Sequence, residues 1–254
     1  DQRFENVYQI MESISSLSGG LYNFNKFPEQ MQMGFKINFG KLFDGKTTLF
    51  EFNETENLEG NRYLDKLGVD SSRYVCLLVR NHEYYSDKGF KDIEMGKRKF
   101  LNVDPLSYVP AIQHLVDSGY HVIRMGKGFT EKFPFSHSRF IDYAISEDRE
   151  DFLDIWLSAH CKFFLNTISG IGGLPVVFNT PCIFTNCFPL GIMQSWAPKS
   201  IHIPRVALQN GKVLNIRKMV EMDIIRLVDG EHYNRMGVEV LENESDDILE
   251  AVKE

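Results

Sequence analysis

From about residue 53 onward, short continuous apolar runs alternate with longer stretches in which apolar residues return every three or four positions. The first pattern predicts strands buried on both faces and the second predicts amphipathic helices. A helix is expected over 54–67, with Asn53 as its cap and Gly68 just past its end. Tyr74-Val75-Cys76-Leu77-Leu78-Val79 reads as a buried strand. A helix over 105–118, with Tyr108, Ile112 and Leu115 inward, leads through Gly119 to a strand over 121–125. A short strand near 140–143 precedes a helix over 149–159 that carries Phe152, Ile155, Trp156 and Ala159. Then come a strand over 162–165, a glycine-rich loop with a helical turn, and a strand over 181–185. Helices around 215–227 and 245–253 close the chain. This alternation predicts an α/β domain whose parallel sheet is covered on both faces. Residues 1–57 carry no sustained period beyond a helix over 11–17, and 24–52 read as irregular. They are expected to form an extension or part of a second domain, with 58–254 as the α/β domain.

In such sheets ligands bind beyond the carboxyl ends of the strands. The residues expected there are Arg80-Asn81-His82, Arg124-Met125-Gly126-Lys127-Gly128, Asp142-Tyr143, 166–173 and Phe184-Thr185-Asn186. The fourth of these segments, Asn166-Thr167-Ile168-Ser169-Gly170-Ile171-Gly172-Gly173, joins small hydroxyls and glycines ahead of a helical start. Unpaired N–H groups there, with no bulky side chains in the way, suit an anion such as a phosphate. Arg80 and Arg124 each offer a planar fork matched to phosphate oxygens. The competing reading is that each arginine caps a strand and pairs with Asp142 or Asp104. Gly126 and Gly128 around Lys127 would let backbone approach a ligand.

The loop is neither GxGxxG nor a Walker loop, and Ser169 does not sit in GxSxG. His160 and Cys161 are adjacent and face opposite sides of a strand. His82 is the histidine best placed for a site, although a lone histidine at a strand end is more often structural. Tyr84, Tyr85 and Trp196 could stack on a base or simply cover a core edge.

Charge and cysteine content narrow the classes. With 28 basic and 35 acidic residues among 254, the formal charge of −7 argues against a broad nucleic-acid or anionic-membrane surface. Apolar content of 43% and charged content of 25% are ordinary for a globular protein. No apolar run approaches the roughly 20 residues that span a bilayer. The four cysteines lack metal-ligand spacing and read as reduced thiols of a cytosolic protein. The sequence opens without Met or a signal pattern, so it is expected to be a piece of something longer.

Taken in order, Val75-Cys76-Leu77-Leu78-Val79-Arg80-Asn81, Asn102-Val103-Asp104, Gly119-Tyr120-His121-Val122-Ile123-Arg124-Met125-Gly126 and Phe140-Ile141-Asp142-Tyr143 make an ordered series. It continues with Asp151-Phe152-Leu153-Asp154-Ile155-Trp156-Leu157, Ser169-Gly170 and Asn179-Thr180-Pro181-Cys182-Ile183-Phe184-Thr185-Asn186. Over about 53–254 the series resembles a family of bacterial glycosyltransferases found with surface-polysaccharide genes. That resemblance implies the Rossmann-like, nucleotide-sugar-binding half of the GT-B architecture. Arg80 is similar to the arginine of the H-x-R motif in GT-B fucosyltransferases, with Leu78 at the histidine position.

The resemblance further implies that Ser169 and Gly170 hold the donor diphosphate and that Ile141, Asp142 and Tyr143 border the base. Arg80, Asn81, Arg124, Gly126, Lys127, Thr167 and Gly172 would complete the donor site, with His82 or Asp104 as base. No metal or cofactor is expected, because arginine, lysine and backbone N–H groups neutralise the leaving diphosphate. The expected partners are a nucleotide sugar and a glycan or lipid-linked glycan acceptor. The expected location is the cytoplasm, peripheral to membrane assembly machinery. Residues 1–57 are too short for a full acceptor domain. The alternatives are a GT-B-like nucleotide-sugar epimerase and a non-catalytic nucleotide-sugar-binding partner of a polysaccharide assembly complex.

Overall fold

The computed structural model describes residues 51–80, 97–194, 197 and 199–254. The expectations for 11–17 and 24–50, and for Asn81, His82, Tyr84, Tyr85 and Trp196, lie outside these residues. Helix α1 (Glu54–Leu67) starts at the cap read from sequence. Asn53 Oδ1 accepts from the Glu56 N–H at 3.0 Å, and the Glu56 carboxylate accepts from the Asn53 N–H at 2.8 Å. This reciprocal pair satisfies two orphan donors. Gly68, at φ 67°, ends the helix.

Six strands form one parallel sheet: β1 (Tyr74–Leu78), β2 (His121–Arg124), β3 (Phe140–Ile141), β4 (Phe164–Thr167), β5 (Cys182–Cys187) and β6 (Ser200–Pro204). Their order is β3-β2-β1-β4-β5-β6. It is the Rossmann-like arrangement, and its direction reverses between β1 and β4. Helices α2 (Val109–Asp117), α3 (Asp151–His160) and α4 (Gly173–Val177) connect the strands. After β6 come β7 (Val206–Gln209), β8 (Lys212–Val213), α5 (Ile216–Glu221), α6 (Gly230–Arg235), β9 (Val238–Leu241) and α7 (Ser245–Lys253).

The sheet is covered on both faces, as the continuous apolar strands require. On one side Tyr63 and Leu64 of α1 and Trp156 and Leu157 of α3 pack on Cys76, Leu78, Phe164 and Phe184. The α1–α3 contact is tight: a Cβ at Gly60 would stand 2.0 Å from the Trp156 ring. The Trp156 indole N–H donates to Asn57 Oδ1 at 3.1 Å. On the other side Ile112, Leu115 and Val116 of α2, with Ile248 and Ala251 of α7, pack on Val75, Leu77, Leu165 and Ile183.

Several segments depart from expectation, among them the helix expected around 215–227, which ends at Glu221 ahead of Asp223 at φ 56°. The helix expected over 105–118 divides into a 3-10 turn (Pro105–Tyr108) and α2. Pro110, in the first turn of α2, has no N–H to continue a ladder from Leu106. The strand expected over 162–165 runs instead over Phe164–Thr167. Asn166 pairs with Leu78 and Phe184, and Thr167 pairs with Thr185. The backbone ladder thus carries two polar side chains into the sheet. Finally, β7, β8 and β9 form an antiparallel sheet in the order β8-β7-β9, over a separate core of Phe188, Met219, Ile224 and Tyr233. Asn210 and Gly211, both at positive φ, make the β7–β8 turn. Among the described residues no helix is long and apolar enough to cross a membrane.

Candidate functional site

The crevice at the β1/β4 reversal lies where such sheets bind ligands. Arg80, two residues past β1, is fixed there through its backbone. Its N–H donates to the buried Thr167 Oγ1 at 3.1 Å, and its carbonyl accepts from the Val103 N–H at 3.3 Å. Its Nη1 donates to the Ile168 carbonyl at 3.4 Å. The segment carrying Val103 is itself pinned by Arg205, which donates to the Phe100 and Asn102 carbonyls at 2.6 and 2.9 Å.

Beside Arg80, the glycine-rich loop makes a compact turn. Ser169 Oγ accepts from the Gly172 N–H at 3.3 Å, and the Gly173 and Leu174 N–H groups donate to the Gly170 and Ile171 carbonyls. Three of the N–H groups that sequence offered to an anion are therefore spent within the loop. Those of Gly170 and Ile171 have no hydrogen-bond partner among the described residues. Helix α4 is only five residues long, so the turn itself, and not an extended helix dipole, shapes this wall. Gly172 is required by close approach, since a Cβ there would lie 2.4 Å from Asn166 Oδ1. Asn166 is fully buried, and neither of its side-chain polar atoms has a partner among the described residues.

Arg80 and this loop border a cleft of about 500 Å³. Arg80, Gly126, Lys127, Ser169 and Gly170, all predicted from sequence, line it. The inner surface is largely apolar, from Leu78, Phe129, Ile155, Ile171 and Leu174. The structure adds an ionic group that sequence reasoning missed, on the first turn of α3. Arg149 donates from Nη2 to Asp151 at 3.0 Å and to Asp154, and from Nε to the Gly126 carbonyl at 3.0 Å. Burial pushes the Asp154 carboxyl up to about 6, against the opposing pull of Arg149. Burial works to lower Arg149, but Asp154 and Asp151 together hold it above the usual guanidinium value. Asp151, at the rim, is held low by hydrogen bonds from Arg149 and Lys127. The signal for this group was present as polar residues 149, 151 and 154 at the start of a predicted helix.

The remaining predicted residues lie elsewhere. Arg124 is 5% exposed and does not line the cleft. Its Nη1 donates to both Asp142 carboxylate oxygens at 3.0 and 3.1 Å and to the Glu131 carbonyl at 3.0 Å. The Phe129 ring covers its guanidinium, 4.2 Å from the ring centroid. Expected as a phosphate ligand, Arg124 instead occupies the paired, strand-capping place that was its competing reading. Asp142, expected near the base, is its partner and also accepts from the Phe133 N–H at 2.9 Å.

Tyr143 is buried, its hydroxyl exchanging hydrogen bonds with the Glu150 backbone. Burial drives its phenol well above the usual value. Asp104 caps the 3-10 turn through the Leu106 N–H, and its own N–H donates to Glu242, away from the cleft. Thr167 is buried and does not line the cleft, and its Oγ1 accepts from the Arg80 N–H. All four cysteines are free and buried. Among the described residues no group of three or more His, Cys, Asp or Glu could hold a metal ion.

Heptosyltransferases are among the structural neighbours. The E. coli ADP-heptose LPS heptosyltransferase II is 15% identical over 70% of this chain and 53% of its own, with a TM-score of 0.44. A family 9 glycosyl transferase from Veillonella parvula is 8% identical over 80% of this chain and 53% of its own, with a TM-score of 0.43. The E. coli heptosyltransferase WaaC with ADP is 13% identical over 65% of this chain and 48% of its own, with a TM-score of 0.38. The chain spans about half the length of these solved structures. No family model and no curated protein matches it.

Proposed function

We propose that the cleft at the β1/β4 reversal binds a nucleotide sugar and that residues 58–254 serve as the donor-binding domain of a glycosyltransferase. The acceptor in this reading is a bacterial surface polysaccharide or its lipid-linked precursor. The observation that carries it is Arg80 beside the 169–171 turn, both lining the cleft, with the Arg80 guanidinium donating to the Ile168 carbonyl at the base of that turn. A guanidinium and two partnerless N–H groups there match a diphosphate, and the apolar slot beyond them matches a base. The reaction is metal-independent in this reading, because Arg80, with Lys127 at the rim, takes up the charge of the leaving diphosphate. The ordered sequence motifs that resemble surface-polysaccharide glycosyltransferases supply the reaction class. With Asp104 away from the cleft, His82, two positions beyond Arg80 in sequence, is the remaining sequence candidate for a base that deprotonates the acceptor.

The test is isothermal calorimetry with UDP, GDP, ADP and CDP, followed by turnover of the matching sugar nucleotide with a polysaccharide acceptor. One nucleoside diphosphate should bind without added metal, and Arg80→Ala should lose most of that affinity. Equal binding by wild type and Arg80→Ala would remove the phosphate assignment. Epimerisation of the sugar with no acceptor present would move the protein to the epimerase class. Binding without turnover would make it a nucleotide-sugar-binding partner.

A further inference from the structure

We propose that Arg149 is a positioning residue of the cleft, tying the wall after β2 to the first turn of α3 and thereby setting the width of the apolar slot. The inference deepens the nucleotide reading above and rests on it for its ligand. Arg149 lies immediately before α3, its side chain 13% exposed. One edge of its guanidinium holds Asp151 and Asp154 on α3, while Nε reaches across to the Gly126 carbonyl. Gly126 can turn that carbonyl toward Arg149 because it sits at φ 127°, where other residues are strained. A Cβ there would also stand 2.3 Å from Phe129 and 3.1 Å from Leu78, two residues of the slot itself. A shift of Gly126 would therefore move Phe129, and with it the face available to a base.

A second link joins the same walls. Lys127 Nζ lies 3.3 Å from Asp151, but the two side chains are 51% and 77% exposed. Such a solvated pair contributes on the order of 0–1 kcal/mol. Arg149 holds Asp154, 10% exposed, and the Gly126 carbonyl where water is largely excluded, and charge-assisted hydrogen bonds there are stronger and directional. Of the two links, the buried one sets the spacing. Lysine in its place could reach the carboxylates or the carbonyl, but it lacks the planar fork that holds both at once.

The test compares wild type with Arg149→Met and Arg149→Lys, with Lys66→Met as a control. Lys66 makes a solvated pair with Asp148, and neither of these residues lines the cleft. Amide hydrogen exchange without ligand reads the clamp directly. In Arg149→Met, exchange at Met125 and Asp154, whose N–H groups donate to the Leu77 and Glu150 carbonyls on the two tied walls, should rise by about tenfold or more while that over 164–167 is unchanged. Calorimetry then reads the slot. Arg149→Met should weaken a nucleoside monophosphate and its diphosphate by a similar factor of about ten, and leave inorganic pyrophosphate unaffected. Arg149→Lys should fall between, and Lys66→Met should match wild type.

Uniformly faster exchange with unchanged nucleotide affinity would overturn the inference, as a merely stabilising role predicts that result. Equal weakening of pyrophosphate would overturn it in favour of a phosphate contact. If wild type binds no nucleotide, the proposed function falls, and unchanged exchange at Met125 and Asp154 in Arg149→Met would separately sink the clamp. Should Arg149→Met fail to fold, Arg149→Lys reads the same quantities.

Discussion

Two arginines at neighbouring strand ends have opposite fates. Arg80 follows β1 and Arg124 ends β2, and by sequence both qualify as anion ligands. Arg124 is sealed beneath Phe129 and paired with Asp142, whereas Arg80 lines the cleft and donates to a backbone carbonyl. The deciding difference is the third strand. Asp142 follows β3, the immediate neighbour of β2, and its carboxylate meets the guanidinium there. The neighbour of β1 on the other side is β4, which ends in Asn166 and Thr167, neither of which carries charge. A strand-end arginine is thus capped where the strand beside it brings a carboxylate to the same edge, as Asp142 does for Arg124.

That contrast can be broken by substitution. Arg124→Met should cost the most, about 3–5 kcal/mol of stability, because it leaves the Asp142 carboxylate without its buried partner. Chemical denaturation would read the loss, and the nucleoside diphosphate affinity of the folded fraction should hold within about twofold, since one tenfold step needs roughly 1.4 kcal/mol. A loss of affinity equal to that of Arg80→Ala would return Arg124 to the binding site. Arg80→Ala should show the reverse pattern, with roughly 1.5–3 kcal/mol lost from diphosphate binding. A larger effect on unfolding than on binding would make Arg80 a second structural cap.

Gly172→Ala sharpens the role of the turn beside Arg80. Its new methyl must displace the Asn166 amide, at a cost of roughly 1–3 kcal/mol in denaturation. Binding should weaken along with stability, and unchanged binding would detach the turn from the site. The smallest effect is one of pH. The folded state raises the Asp154 carboxyl to about 6 from an ordinary 3.8, so the native protein holds that proton more tightly than the unfolded chain does. The stabilisation from the protonated form is complete below the ordinary value and is lost as pH rises through about 6. From this group the melting temperature should fall across that interval. Asp154→Asn should flatten that portion of the profile, and an unchanged slope would assign it to other groups.

Local chemistry was the legible part of the sequence. The Asn53–Glu56 capping box and Gly68 define α1 to the residue, because both ends are set by contacts within four positions. The parallel sheet followed from continuous apolar runs. Position 80 was legible as a strand end, and Gly126, Lys127, Ser169 and Gly170 as its company in the cleft. The pairing of Arg124 with Asp142 was weighed but not preferred, since proximity across an edge strand leaves no mark on periodicity. The two-residue shift of β4 has the same origin: Asn166 and Thr167 are held in the ladder by their neighbours, against their polarity. The second sheet had a cue in Asn210-Gly211, a hairpin pair between Val206-Ala207-Leu208-Gln209 and Lys212-Val213, that outlying short strands made easy to pass over.

The seat of Gly60 against Trp156 has an optical consequence. The chain contains two tryptophans, and Trp156 is 1% exposed, its indole N–H bonded to Asn57. Any event that lifts α1 from α3 would wet this ring and release that bond together. In a Trp196→Phe background, the emission colour of Trp156 would then serve as a gauge of whether α1 is seated on α3, read without any ligand or label.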